Sequence, residues 1–204
     1  MTAAAPAELW PDVRPDAARR LMLSGLRSFA ERGFHATTTR DIATGAGMSP
    51  AALYVYFPSK VGLLFAISHS GHEQTLAMVT AAIAKDTDPR GSMRHLVAEF
   101  VAWHAEWHTV ARVVQYELQA LPEREFAVVA ELRRRIERQV RDVIANGVAA
   151  GVFHVPDVRT AARAVLSLGI DVARWYDGRT GSTPTELGAE YAGLVMRMLG
   201  ADTD

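Results

Sequence analysis

The sequence predicts an all-α fold of about nine helices. Apolar residues recur at helical spacing along most of the chain, and helix-start and helix-stop residues separate these segments. The chain contains no stretch of alternating apolar and polar residues, no Asn-Gly hairpin turn and no internal repeat. With 204 residues, of which 49% are hydrophobic, it is long enough to bury a sizeable core.

The composition excludes several classes of protein. Because there is no cysteine, disulfides, thiolate zinc fingers, iron–sulfur clusters and thiol nucleophiles are all ruled out. The first twenty residues lack the apolar core of a signal peptide, and no apolar run approaches the ~18 residues that cross a bilayer. We therefore expect a cytoplasmic protein with no membrane partner.

Capping residues mark the first two helices. The first begins near Pro15 and ends at Gly33, since Pro is tolerated at the first helical position and Gly adopts the left-handed conformation that ends a helix. Thr38 and Asp41 are spaced as a capping box for the second helix, which Gly47 ends.

A short third helix follows at once. Ser49 and Pro50 begin it, and it ends near Phe57 because Pro58 disfavours helical geometry in the residue before it. Ser59 then caps a fourth helix. Two short helices joined by a turn with a glycine form a helix-turn-helix, whose second helix enters the major groove of DNA.

Five longer helices are predicted after residue 85. The long helix from Pro122 carries pairs of opposite charge four residues apart, as a solvated face does. The predicted starts of the five helices are Asp88-Pro89, Val110, Pro122, Pro156-Asp157 and the capping box Thr183–Glu186. Their predicted ends, in the same order, are His108, Ala120, Gly147 together with Gly151, Tyr176 and Leu199.

Charge is distributed unevenly, although the net charge is only −1. Residues 13–62 contain seven Lys or Arg and three Asp or Glu, a net charge of +4, whereas residues 63–204 contain 15 basic and 18 acidic residues, a net charge of −3. This pattern favours a small basic module followed by a larger acidic one.

Eight residues of the helix-turn-helix are candidates for DNA contact. Short side chains at the start of its second helix allow a close approach to base edges. Tyrosine hydroxyls, and a lysine at the start of the next helix, are placed to reach phosphates. The candidates are Thr39, Arg40, Ser49, Ala51, Ala52, Tyr54, Tyr56 and Lys60.

Five stretches of residues 15–65, about a quarter of the chain, form one combined pattern: Phe29–Thr38, Arg40–Ala43, Ala46–Ser49, Leu53-Tyr54 and Tyr56–Lys60. This pattern resembles the TetR family of transcriptional regulators. Two departures are mild: Ala is commoner than Gly at position 45, and Val is commoner than Met at position 48. Gly45 costs ~1 kcal/mol relative to Ala in a helix interior.

The resemblance implies a ligand-responsive regulator, most simply a repressor, that binds a palindromic DNA operator as a homodimer. It implies no catalysis and no cofactor. The last two long helices would pair with their symmetry mates in a four-helix bundle. Ligand binding would move the fourth helix and separate the DNA-binding domains of the two subunits. The implied domains are a flexible arm (1–13), a three-helix DNA-binding domain (14–62) and a helical ligand-binding and dimerisation domain (63–204).

The eighth and ninth helices present more apolar and small surface than a peripheral helix needs. One interpretation is a dimer interface, and the alternative is that these faces belong to the core of one protomer. The predicted interface residues are Ala162, Val165, Leu166, Gly169, Leu187, Tyr191, Leu194, Val195 and Met198.

The centre of the chain concentrates aromatic and histidine residues, which line ligand pockets but also fill cores. Short stretches at Arg174–Tyr176 and Gly151–Phe153 resemble family members that sense acyl-CoA thioesters. That resemblance implies a small hydrophobic ligand with an anionic head, which Arg112 or Arg174 would meet unless Arg174 pairs with a neighbouring Asp. The predicted ligand-binding residues are Phe100, Trp103, His104, Trp107, Arg112, Tyr116 and Trp175.

A metal site is the alternative interpretation of this region. His104 and His108 lie four residues apart on one helix face, which is the spacing of metal ligands. The order differs from the zincin motif because Glu106 is displaced by one position, and no third ligand is marked. The alternative function is therefore a metal-responsive sensor or a metal-dependent hydrolase.

Overall fold

The computed structural model describes residues 9–179 and 181–201, which contain helices and no strand. This confirms the predicted all-α fold. No single helix in that part of the chain is long and apolar enough to cross a membrane, and one bent pair of helices, Pro50–Tyr56 with Lys60–Ile83, passes that test by length and composition only. The helices are α1 (Asp16–Ala36), α2 (Thr39–Gly45), α3 (Pro50–Tyr56), α4 (Lys60–Ile83), α5 (Pro89–Glu106), α6 (His108–Tyr116), a 3₁₀ turn (Leu118–Ala120), α7 (Glu123–Ala149), α8 (Val158–Trp175) and α9 (Pro184–Met198).

The helix starts follow the predicted capping chemistry. Both capping boxes are complete, with Thr38 and Asp41 before α2 and Thr183 and Glu186 before α9. Ser49 occupies the N-cap position of α3, but its side chain makes no capping hydrogen bond. The fixed φ of the proline at the first position already favours this helix start.

Two of the glycines predicted to end helices have different roles. Gly33 has φ +77° and ends the regular part of α1, as predicted. Gly147 instead lies inside α7, where a Cβ would overlap the ring of Phe153. α7 ends at Ala149, two residues before Gly151, whose φ of +74° favours glycine.

The described residues divide into two compact units. The first contains residues 9–71 and Thr109–Val129, and the second contains His72–His108 and residues 130–201. The domain boundary at residue 62 stays a prediction. Residues 1–8 of the predicted arm lie outside the described residues, whereas Leu9 and Trp10 of that arm are buried.

Each unit has its own apolar core. In the first unit α1 packs on α2 and α3, and its Gly25 lies so close to α4 that a Cβ there would press on Leu63. In the second unit α5 packs mainly on α9 and also on α8. The largest fully buried side chains are Leu21, Leu26, Phe29, Ile42, Leu53, Leu63, Leu64, Ile67, Met93, Leu96, Ile144 and Phe153.

Candidate functional site

The helix-turn-helix has one buried face and one exposed face. Ile42 and Ala43 of α2 and Leu53 of α3 are fully buried. Hydrogen bonds from the Thr38 hydroxyl and amide hold the pKa of Asp41 below its usual range, so the capping box stays charged at neutral pH. The opposite face of α3 is consequently presented outward, and the capping box fixes the start of α2.

The predicted DNA-contacting residues are all exposed or half-buried. Tyr54 is 57% exposed, and its hydroxyl lies 3.5 Å from Thr39 Oγ1, so the two residues link the middle of α3 to the start of α2. Arg40, Ser49 and Ala51 are exposed. The half-buried members are Thr39, Ala52, Tyr56 and Lys60.

Val55 is on the same face and is not among the predicted residues. It is 74% exposed, which is unusual for a branched apolar side chain. Its signal in the sequence is the spacing with Ala51 and Tyr54, which places all three on one side of α3. A valine methyl on such a helix can pack against the methyl group of thymine.

Lys60 is held by contacts within the first unit. Its ammonium donates to the backbone carbonyls of Phe34 and Thr37, each at 2.7 Å, and lies 4.2 Å from the centroid of the Phe34 ring. Burial lowers the pKa of Lys60 from its ordinary value. Since an ammonium has three donors, one remains for a phosphate.

Five of the nine predicted dimer residues are buried in the core of the second unit within the single protomer, and an interface role for them stays a prediction. A Cβ at Gly169 would overlap the ring of Phe100, so that glycine serves the packing of α8 on α5. The space on that face is therefore filled within the protomer. The five residues are Ala162, Val165, Gly169, Leu187 and Val195.

The other four stay predicted interface residues. Leu194 is 50% exposed and Met198 is 41% exposed, and they lie four residues apart on α9. Leu166 and Tyr191 are half-buried. Leu168 of α8, which is not among the predicted residues, is also 41% exposed.

His104 is the buried centre of the aromatic group in the second unit. Its ring centroid lies 4.2 Å from that of Phe100 and 5.0 Å from that of Trp103. Nδ1 lies 2.7 Å from the Phe100 carbonyl, which can only accept, so Nδ1 carries the ring proton. Burial lowers the pKa of His104 to about 4, and the imidazole is neutral at neutral pH.

The remaining predicted ligand residues are more accessible. Trp107 is half-buried and Trp175 is 39% exposed in the second unit. In the first unit Arg112 is half-buried and Tyr116 is 61% exposed. Arg174, the other candidate for an anionic head, pairs with Asp171 at 2.9 Å, as the alternative interpretation had it.

The described part of the chain offers no third ligand for the metal alternative. His108 Nδ1 lies 2.9 Å from the Ala105 carbonyl, so its Nδ1 also carries the ring proton. Among residues 9–179 and 181–201, no three His, Asp or Glu side chains are grouped closely enough to hold an ion. Two imidazoles alone do not make a protein zinc site.

Two family models match the sequence. Residues 86–199 match the model of the tetracyclin repressor-like C-terminal domain, and residues 16–67 match the model for bacterial regulatory proteins of the tetR family. The HTH-type transcriptional repressor KstR2 of Rhodococcus jostii strain RHA1 is 28% identical over 170 residues, which cover 82% of this chain and 83% of that protein.

Solved structures resemble the whole chain. A bacterial regulatory protein of the tetR family from Rhodococcus RHA1 is 41% identical, with a TM-score of 0.87 over 92% of this chain and 98% of that one. AibR, solved with isovaleryl coenzyme A and operator DNA, has a TM-score of 0.80 over 87% of this chain and 97% of its own. At 18% identity, AibR shows a shared fold only.

Proposed function

Since the chain belongs to the TetR family of bacterial regulatory proteins, we propose that it is a ligand-responsive repressor that binds a palindromic operator as a homodimer. The sequence pattern predicts this membership, and members of the family are transcriptional regulators with a DNA-binding helix-turn-helix and a helical C-terminal domain. We propose further that it acts in the cytoplasm and has no catalytic activity.

The outward face of α3 is the observation that carries the DNA-binding part of the proposal. Ala51 is small enough for the backbone to approach a base pair, and Val55 offers methyl groups to thymine. Tyr54 and the exposed Arg40 flank this surface and are suited to phosphates, which position the helix without reading sequence. Specificity then depends on few side chains, so two half-sites are needed for tight binding.

The exposed apolar residues of α8 and α9 support the dimer. Leu194 and Met198 on α9 and Leu168 on α8 are large apolar side chains that are exposed to solvent in the single protomer. A twofold interface contains the same patch from both subunits, so each of these residues would be buried in it once from each subunit. We propose this patch, with half-buried Leu166 and Tyr191, as the dimer surface.

An acyl-CoA thioester is the proposed ligand class. AibR, which shares the fold, was solved with isovaleryl coenzyme A. The second unit of this chain supplies aromatic and apolar surface at Phe100, Trp103 and Trp107, which suits an acyl chain. To release DNA, the ligand must bind the state with separated DNA-binding domains more tightly than the DNA-competent state.

The test is a titration of the full chain against a DNA fragment from its own upstream region, with random DNA as the control. We expect a Kd of ~10⁻⁸ M or tighter and two protected half-sites about one helical turn, or a multiple of it, apart. Addition of short-chain and long-chain acyl-CoA thioesters to the bound complex then tests release. If selection from a randomised DNA pool also yields no preferred sequence, the proposal of an operator-binding repressor is wrong.

A further inference from the structure

The turn between α1 and α2, residues 33–38, is held by four contacts from side chains to backbone carbonyls. The Thr37 hydroxyl is buried and lies 2.9 Å from the Ser28 carbonyl and 2.8 Å from the Gly33 carbonyl. The Lys60 ammonium donates to the carbonyls of Phe34 and Thr37. The Phe34 and Thr37 carbonyls lie at or beyond the end of α1, and the Phe34 carbonyl also accepts from the Thr37 N–H at 3.3 Å.

Lys60 is the first residue of α4, so the turn is fastened to the start of that helix. The ring of Phe34 forms the floor of the ammonium site at 4.2 Å, and a cation over an aromatic face is stabilised further. α4 contributes residues to both units. The turn and the first residue of α4 are therefore held together through the Lys60 ammonium.

α6 approaches the same turn within the first unit. Gly71 of α4 is close to α6, since a Cβ there would lie 3.4 Å from a methyl group of Val114. Just after α6, Glu117 reaches the turn, because a Cβ on Gly33 would lie 3.5 Å from Glu117 Oε1. The start of α4 and the end of α6 therefore converge on residues 33–38.

We propose that Lys60 is a positioning residue for the helix-turn-helix, fastening the α1–α2 turn to α4 and so setting the direction in which α2 and α3 meet DNA. This deepens the proposed function and rests on it. Lys60 acts through the backbone of Phe34 and Thr37, whereas a phosphate-binding lysine acts on the DNA itself. The two roles differ in what they do to the free protein and to the salt dependence of binding.

The first measurement is amide hydrogen exchange of the full chain without DNA. Lys60→Met keeps much of the side-chain length but removes both hydrogen bonds, so we expect exchange of amides 34–42 to accelerate about tenfold or more while α8 and α9 are unchanged. Lys60→Arg should restore protection, since a guanidinium can donate to both carbonyls. Lys85→Met removes the other lysine of the chain, which pairs with Glu99 at 2.8 Å, and is the matched control with no expected change at 34–42.

The second measurement is the salt dependence of DNA binding. For Lys60→Met we expect weaker binding with an unchanged slope of log affinity against log salt, whereas Arg40→Ala should reduce the slope by about one. A slope reduced by about one in Lys60→Met, with normal exchange at 34–42, would assign Lys60 to a phosphate and overturn the proposal. Unchanged exchange together with unchanged affinity would overturn it as well.

The exchange measurement needs no operator. If the wild-type chain shows no preferred DNA sequence, the repressor proposal fails, and the exchange of amides 34–42 still decides whether Lys60 holds the turn. If Lys60→Met does not fold, Lys60→Gln, which retains one amide donor, takes its place, with an intermediate acceleration expected at 34–42.

Discussion

The Ser24 hydroxyl occupies the space that a side chain at position 45 would need. Ser24 Oγ donates to the Ile42 carbonyl at 2.7 Å, and a Cβ on Gly45 would overlap that oxygen. Gly45 is therefore the partner of Ser24 at the contact between α1 and α2. The cost of a glycine in α2, which the sequence alone attributes to lost helix propensity, is offset by a buried hydrogen bond across the two helices.

Gly45→Ala should be destabilising in the wild-type chain and neutral or stabilising in a Ser24→Ala background. The added methyl displaces the buried Ser24 hydroxyl from the Ile42 carbonyl and leaves that hydroxyl without its acceptor, at a cost of ~1 to 3 kcal/mol. Without the hydroxyl, only the gain in helix propensity of up to ~1 kcal/mol remains. Urea denaturation of the four proteins of the double-mutant cycle measures the coupling, and additive effects would contradict the interpretation.

Gly188→Ala should destabilise the second unit by ~3 kcal/mol, because the new Cβ overlaps a neighbouring backbone rather than a flexible side chain. Gly188 of α9 lies against the Ala98 carbonyl of α5. Gly193 is the matched control on the same helix, since a Cβ there lies 3.7 Å from the nearest atom, in the Arg197 side chain. Gly193→Ala should be neutral or slightly stabilising, and thermal unfolding at one protein concentration compares the two variants.

Stability should fall as the pH decreases from about 6.5 to about 4, because His104 stays neutral in the folded chain. Its pKa is lowered to about 4, so the unfolded chain binds the proton first throughout this window. The resulting loss between pH 7 and pH 4.5 is ~2 kcal/mol.

His104→Gln tests that pH dependence. We expect the unfolding free energy of this variant to change ~2 kcal/mol less than that of the wild type between pH 7 and pH 4.5. His95→Gln, at an exposed position on the same helix, should behave as the wild type. An equal pH dependence in all three proteins would mean that folding does not lower the pKa of His104.

Tyr54→Ala should weaken operator binding without changing the oligomeric state. Tyr54 is more than half exposed, so little core packing is lost, and a neutral hydroxyl contact is expected to leave the salt slope unchanged. Titration with DNA and sedimentation of the free protein check the two parts. Tyr116→Ala removes an equally exposed tyrosine outside the helix-turn-helix and should not affect affinity, while loss of the dimer in Tyr54→Ala would refute the assignment.

Leu194→Asp should convert the dimer to monomers. A charge in the middle of a buried twofold interface is present twice and is unpaired in both copies. Val148→Asp is the control, since Val148 is 38% exposed on α7, outside the proposed patch. Sedimentation at several concentrations distinguishes the outcomes, and a Leu194→Asp dimer as stable as the wild type would remove this face from consideration.

Local chemistry accounts for what could be predicted. Capping boxes at Thr38 and Thr183, and the positive φ of Gly33, depend on residues within three or four positions, so helix number and most helix ends could be deduced from the chain alone. The outward face of α3 likewise follows from helical spacing. Val55 is not among the predicted residues, because an apolar side chain is ordinarily expected in a core.

Contacts between helices distant in the chain decided the rest. Helical spacing shows that Gly169 and Val195 lie on apolar faces, but only the packing of α5 on α8 and α9 shows that these faces are filled within one protomer. The same holds for Lys60: its charge predicts a phosphate contact, whereas only the fold shows that the carbonyls of Phe34 and Thr37, 26 and 23 residues earlier, lie beside it. Periodicity determines which side of a helix is apolar, whereas the partner of that side depends on how distant segments pack, which no short window of sequence contains.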